Sequence, residues 1–306
     1  MTTSNMYAAD DPRSRLGYAG GTSPAPGRFA ASEYARFYET EPQEIGPGVR
    51  TWYARGQNLI VAVSEAKPGA VLERKGQVDE YVAILQDRGK GAEIEANGEH
   101  ASVEGHSLVI LPPGDSRIVL PQGGRVVRLI TTRSKDLAAK CSNAAAYAEP
   151  HPYIPPLESW PDPPGGFRVR AYSLDVPKKE GRFGQIWRCT TFMVNVFPPV
   201  GPRPLNQLSP HHHDDFEQCS LAIEGSFFHH LRWPWTADIA DWREDEHEHC
   251  ASPSIVVIPP RAIHTTAAHD PEGNVLVDIF SPPRMDFSKQ DGWVLNADEY
   301  PMPEQG

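Results

Sequence analysis

The chain alternates short apolar runs with breaks marked by Gly, Pro and Asn. "NLIVAVSEA" (58–66), "EYVAILQ" (80–86), "AEIEA" (92–96), "SLVILPPG" (107–114) and "RVVRLITT" (125–132) are short and rich in β-branched residues. Runs of this length and spacing predict the strands of an all-β sandwich or barrel. A helix is expected only over 134–148, "SKDLAAKCSNAAAYA". The proline-rich "EPHPYIPPLESWPDPPGG" (149–166) reads as a semi-rigid linker. Residues 1–27 are polar and rich in Gly, Pro and Ser, which predicts a flexible tail or an arm that orders on docking.

Beyond the linker the same order returns. "IWRCTTFMVNVFPP" (186–199), "EQCSLAIEG" (217–225), "SFFHHLRW" (226–233), "PSIVVIPP" (253–260) and "NVLVDIFSPP" (274–283) repeat the strand-like pieces of the first half. The anchor is "LVILPPGDSR" (108–117) against "IVVIPPRAIH" (255–264); aligned on their double prolines, Arg117 falls where His264 stands. Two copies of one β-unit follow: a tail over 1–27, a first unit over 28–140, a linker over 141–166 and a second unit over 167–306.

What distinguishes the second unit is "SPHHHDDFEQCSLAIEG" (209–225). Alternate residues of a strand share a face, so His211 and His213 project together and His212 points away. Two neutral imidazoles on one face suit Fe, Mn, Zn, Ni or Cu. Glu217 keeps their parity, whereas Gln218 needs a bulge to turn inward. His264, at the end of "VVIPPRAIH", can supply a further ligand. The bland alternative is a polar turn with accidental histidines.

These residues resemble the metal motifs of the cupin superfamily, and the doubled unit resembles a bicupin. The family's first motif runs His-x-His, three or four residues, Glu, six residues, Gly. His211 and His213 match; Glu217 leaves seven residues before Gly225, and Gln218 leaves six but is an amide. The second motif runs Pro-x-Gly-x-x-His-x-x-x-Asn. Pro259 and His264 fit, with Arg261 in place of the glycine and Ala268 in place of the asparagine.

The resemblance implies two tandem jelly-roll barrels with one divalent transition metal, bound in the C-terminal one by His211, His213, His264 and either Glu217 or Gln218. Gln218 would leave a site of higher positive charge and a stronger pull on an anionic substrate. The first unit has no histidine over 58–99 and Arg117 in place of the late one, so its metal site is expected to be lost. The implied activity is that of a non-haem Fe(II) dioxygenase acting on a small acid, aromatic acids included. An isomerase, lyase or decarboxylase using Mn, Ni or Zn is the alternative, as is a non-enzymatic small-molecule-binding bicupin. Cupins often pair through their sheets, which makes a homodimer the expected assembly.

Other residues carry weaker signals. One of His229 and His230 must face the barrel interior, and His230 and Arg261 are the catalytic candidates. Arg261 and Arg232 can hold a substrate carboxylate, or form salt bridges with nearby acids. The insertion "RWPWTADIADWREDEHEHC" (232–250) offers Trp233, Trp235 and Trp242 as an aromatic cover, or as rim packing. His247, His249 and Cys250 read either as a second metal site or as a solvated acidic tip.

Composition narrows the partners. At 306 residues the chain holds two units of about 150, and 39% hydrophobic residues suffice for real cores. A formal net charge of -11 argues against nucleic acid and anionic membranes as partners. Four cysteines without a CxxC pair predict reduced thiols in the cytoplasm. No apolar run approaches the length of a membrane span.

Overall fold

The computed structural model describes residues 29–151, 153–236 and 238–304, so the tail expected over 1–27 lies outside the described residues. The period-two pattern forms antiparallel sheets throughout. In the first half Ser107–Leu111, Tyr81–Leu85, Gly124–Thr131, Leu59–Ala66 and Val49–Arg55 lie side by side in that order. In the second half Ser254–Ile258, Gln218–Glu224, Val275–Phe280, Met193–Val196 and Gln185–Arg188 repeat the same order. A smaller sheet faces each large one. Its strands are Gly114–Leu120, Ala92–Ala96 and Glu99–Val103 in the first half, with Ala70–Gln77 at the edge. Ile263–Ala268, Ser226–Arg232 and Glu246–Ala251 are their counterparts in the second. The fold is all-β, with one two-sheet barrel repeated.

The strands of the large sheets are apolar on both sides because both faces are covered. Val61, Val63, Ile84 and Leu108 on the outer face of one sheet share a core with Cys219, Leu221, Ile255 and Val277 of the other, so the two barrels stand back to back. Inside the first barrel Ile60, Tyr81, Leu111, Ile118 and Ile130 belong to one continuous apolar core. The interior of the second is broken into small clusters. Its apolar packing is interrupted by buried polar side chains, among them His229, His264 and Gln218.

The expected unit boundaries at 28 and 167 are crossed by two strands. Glu33–Arg36 adds to Ser254–Ile258 in the second half, and Arg170–Ser173 adds to Ser107–Leu111 in the first. Each half thereby covers an edge of the other that would otherwise present unpaired backbone groups. Side chains fasten the first of these strands: Tyr34 and Ser32 hydroxyls donate to Glu246 Oε2 at 2.8 and 2.6 Å, and Arg36 pairs with Glu248. Such long-range exchange leaves no mark in local periodicity.

The helix expected over 134–148 is two short pieces, Lys135–Ala138 and a 3-10 turn at Ala144–Tyr147. Asn143 breaks it, because its side chain accepts from the Arg55 N–H and donates to the Arg55 carbonyl. The proline-rich segment is packed, with Ile154 and Trp160 buried. Gln57 and Asn58 donate to the Ile154 and Pro155 carbonyls. Among the described residues, no helix is long and apolar enough to cross a membrane.

Candidate metal centre

His211 and His213 arrive on a segment that is not a strand. His211 forms an isolated antiparallel bridge with His264, its N–H donating to the His264 carbonyl at 3.0 Å and the His264 N–H returning at 2.7 Å. The bridge sets their rings side by side, with centroids 4.4 Å apart, and the His213 ring lies 5.0 and 5.2 Å from them. One potential ligand nitrogen from each lies within 4.8 Å of the others, and all three residues are buried.

Backbone carbonyls orient two of the rings. His211 Nδ1 lies 2.9 Å from the Ser209 carbonyl, and His264 Nδ1 lies 2.9 Å from that of Ala262. A proton held on Nδ1 in this way leaves Nε2 as the ligating atom. His213 stacks on Phe216 at 4.4 Å, and the Arg284 guanidinium lies 4.5 Å over the Phe216 ring. Burial, reinforced by Arg284 and the two neighbouring imidazoles, holds the His213 pKa well below its ordinary value. The neutral imidazole is the form that binds a metal.

Gln218 completes the group. Its Oε1 lies 2.9 Å from His213 Nε2, while its amide nitrogen donates to Ser220 Oγ at 3.0 Å and to Asp278 Oδ1 at 3.2 Å. Ser220 Oγ in turn donates to Asp278 Oδ1 at 2.6 Å. The amide N–H groups are thus spoken for, and the carbonyl oxygen turns toward the histidines. Two donor atoms side by side on one ion, each about 2.1 Å from it, are separated by about 3 Å. The donor set fits a transition metal.

Glu217, the other expected third ligand, is carried to the opposite side of the sheet. Its Oε2 accepts the Gln57 N–H at 2.8 Å and its Oε1 accepts the Tyr147 hydroxyl at 3.0 Å. The parity counted from His211 does not reach Glu217, because regular strand begins only at Gln218. From there Gln218 and Ser220 face the barrel interior, while Cys219 and Leu221 enter the core between the barrels. Burial raises the Glu217 pKa from 4.5 to about 7, against the lowering effect of the Gln57 N–H and Tyr147. The carboxylate sits so close to Gly56 that a Cβ there would meet Oε2 at 2.3 Å.

His211, Gln218 and His264 border a cavity of about 450 Å³. Phe183, Phe197, Phe227 and Leu276 make much of its wall apolar, and Arg203 and Asp278 add charge. Arg203 is held by the Thr266 carbonyl at 3.1 Å and Ser209 Oγ at 2.6 Å. Sequence reasoning missed both charged residues. Asp278 had a signal: it is the lone acid inside the apolar "VLVDIF" strand.

No family model and no curated protein matches the chain. Solved structures of similar shape do exist. Oxalate decarboxylase from Lactobacillus farciminis, in complex with formate, superposes with a TM-score of 0.53 at 14% identity over 86% of this chain and 88% of that one. AerE from Microcystis aeruginosa gives 0.52 at 11% identity, covering 84% and 99%. Protein Ylba from E. coli gives 0.51 at 8% identity, covering 86% and 95%. By fold, the chain is a bicupin.

The remaining expectations for this bicupin are corrected by its geometry. The interior histidine is His229, 1% exposed, with Nδ1 3.1 Å from Thr266 Oγ1 and a pKa that burial lowers to about 3. His230 lies on the outer face, sharing a 2.8 Å hydrogen bond with His247. Arg261 stacks over Tyr153 at 5.1 Å and does not border the cavity. Its φ of 72° lies in the left-handed region, as does the 105° of Gly114 at the matching place in the first barrel, which is why the motif has glycine there. Arg232 pairs outward with Asp245.

Arg117 does not occupy the space of His264 in the bicupin. A register shift between Gly114 and Ser116 turns it outward, to Glu73 and Glu95. In the insertion, Trp233 is buried beneath Arg243, while Trp235 and Trp242 stack on each other 4.5 Å apart; none of the three borders the cavity. Cys250 is buried on the opposite face from His247 and His249, so these three do not converge on one ion.

Proposed function

We propose that the second barrel is a metal-dependent active site for a small carboxylic acid with an apolar body. The observation that carries this reading is the neutral donor set, three imidazoles and an amide, opening onto a largely apolar cavity. His211, His213, Gln218 and His264 would hold the ion, with iron favoured and Mn, Zn or Ni as alternatives. When bound, such an ion supplies Lewis acidity and, for iron, redox chemistry with O₂.

The chain's own residues supply the rest. Neutral ligands leave the charge of a divalent ion uncompensated, and the opposite charges of Arg203 and Asp278 at the cavity offset each other, so the ion's own charge would draw in an anionic substrate. Phe183, Phe197 and Leu276 accommodate its apolar part and displace water. Asp278, bonded to Gln218 and bordering the cavity, orients the amide and stands where a proton can be delivered or taken up.

Oxygenation by a non-haem Fe(II) centre is the first reading. Proton-transfer chemistry, as in an isomerase, lyase or decarboxylase, is the second, and the placement of Asp278 favours it. The test is to strip the protein of metal, reload it with Fe, Mn, Zn or Ni, and offer a panel of small aromatic and aliphatic acids with and without O₂. Metal-dependent turnover supports the proposal, and O₂ uptake separates the first reading from the second. Tight binding of an acid without turnover in any metal form would instead indicate a binding protein.

A further inference from the structure

The first barrel holds a charge that its surroundings do not neutralise. Arg128 lies in the middle of Gly124–Thr131, between Val126 and Ile130, and shares their interior face. It is 4% exposed. Its cross-strand neighbours are Ala62 on one side and Ala83 on the other, so no charged side chain faces it from the adjoining strands at its own level. Arg128 borders a cavity of about 470 Å³, together with the hydroxyl-bearing Thr51 and Tyr53 and the apolar Leu72 and Leu137.

The other charges along this cavity are already paired. Glu44 meets Lys140 at 2.7 Å, Asp136 meets Arg74 at 2.7 Å, and Glu73 meets Arg117 at 3.0 Å. Glu44 also accepts the Tyr53 hydroxyl at 2.9 Å, and Lys140 is the main cause of its lowered pKa, with Arg128 contributing only weakly. Arg128 itself forms no salt bridge among the described residues; it shares a hydrogen bond with the neutral Tyr53 hydroxyl, and its buried Nε has no hydrogen-bond partner. A guanidinium carries five donors and cannot shed its proton, so leaving it in this state is costly unless something fills the cavity.

We propose that this cavity is a second ligand site, separate from the metal centre, for a small organic monocarboxylate. The carboxylate pairs with the Arg128 guanidinium, whose planar fork matches it, and the apolar body lies against Leu72 and Leu137. One unneutralised positive charge beside apolar walls suits a singly charged acid better than a phosphate. The barrel that lacks the second barrel's histidine cluster thus keeps a binding role, which does not rest on the reading of the second barrel.

Benzoate is the probe, with benzamide as its neutral counterpart, and titration calorimetry with thermal melting as the readouts. The full chain carrying His211→Ala and His264→Ala is used, so that the second barrel's metal site is disabled. Benzoate is expected to bind once per chain and raise the melting temperature, and benzamide to do neither. Arg128→Met should weaken benzoate binding by about tenfold or more and, without the probe, melt at the same or a higher temperature. Should Arg128→Met not fold, Arg128→Gln takes its place with the same loss expected. Benzoate binding of unchanged strength in a folded Arg128 variant, or equal binding of benzamide, would overturn the proposal, as would no binding of benzoate to the parent.

Discussion

Glu217 and Gln218, adjacent in the chain, send their side-chain oxygens to opposite sides of one sheet. Gln218 Oε1 lies 2.9 Å from His213 Nε2, whereas Glu217 Oε2 takes the Gln57 N–H at 2.8 Å. Their substitutions should therefore separate cleanly. Gln218→Leu removes an oxygen from the donor group and is expected to weaken metal binding by about tenfold or more. Glu217→Gln is expected to leave metal affinity within about twofold, because it touches only the contact between barrels. Competition with a chromogenic chelator measures both.

The buried Glu217 carboxyl also gives the fold a pH dependence. Its pKa is raised from 4.5 to about 7. The folded form therefore holds the proton more tightly than the unfolded chain, so the linked stabilisation is complete below about 4.5 and is lost as pH rises through about 7. In metal-stripped protein, Glu217→Gln should flatten this fall, with a gain over wild type of up to about 3 kcal/mol above neutrality. Its amide can still accept from Gln57 and donate to Tyr147. Denaturant melts at pH 5 and pH 8, compared between the two proteins, give the difference; equal pH slopes would exclude Glu217 as its source.

Asp278 is expected to matter to turnover more than to metal retention. Asp278→Ala removes the acceptor for both Ser220 and Gln218. Once a substrate is in hand, the rate should fall by about 10²-fold or more if Asp278 moves a proton, and one limb of the pH–rate profile should disappear. A uniform loss at every pH would make it a positioning residue for Gln218 alone.

Arg261→Gly should stabilise the protein by about 1 kcal/mol. It relieves a φ of 72° and removes two buried guanidinium nitrogens that lack partners, against the loss of stacking on Tyr153. Because Arg261 does not border the cavity, activity should be unchanged. Thermal melting beside a rate assay checks both statements.

The repeat was legible in the sequence because strands write period-two patterns and turns write Gly and Pro. The double-proline alignment carries over to the fold: Ser107–Leu111 and Ser254–Ile258 hold equivalent places in their sheets, and Gly114 and Arg261 share a left-handed backbone. The three histidines were legible because the second unit carries them where the first has none, and because the motif resemblance joins His264 to His211 and His213. The choice between Glu217 and Gln218 was not, since alternation counted from His211 lapses in the turn before Gln218. Arg117 was misplaced for a similar reason, a register shift that one residue's offset hides. The strand exchange, the outward turn of His230 and the contacts of Asp278 depend on pairings distant in sequence. Asp278 and Arg128 nonetheless share a local mark, a charge flanked on both sides by apolar residues of its strand.

The most direct test of the account is elemental analysis of tag-free protein reconstituted with Fe, Mn, Zn or Ni and passed through a desalting column. One equivalent of metal per chain, roughly, is expected for the wild type, and close to none for a folded His211→Ala, His264→Ala variant. Less than about 0.2 equivalents in the wild type across all four metals, or retention of a full equivalent by the variant, would contradict it.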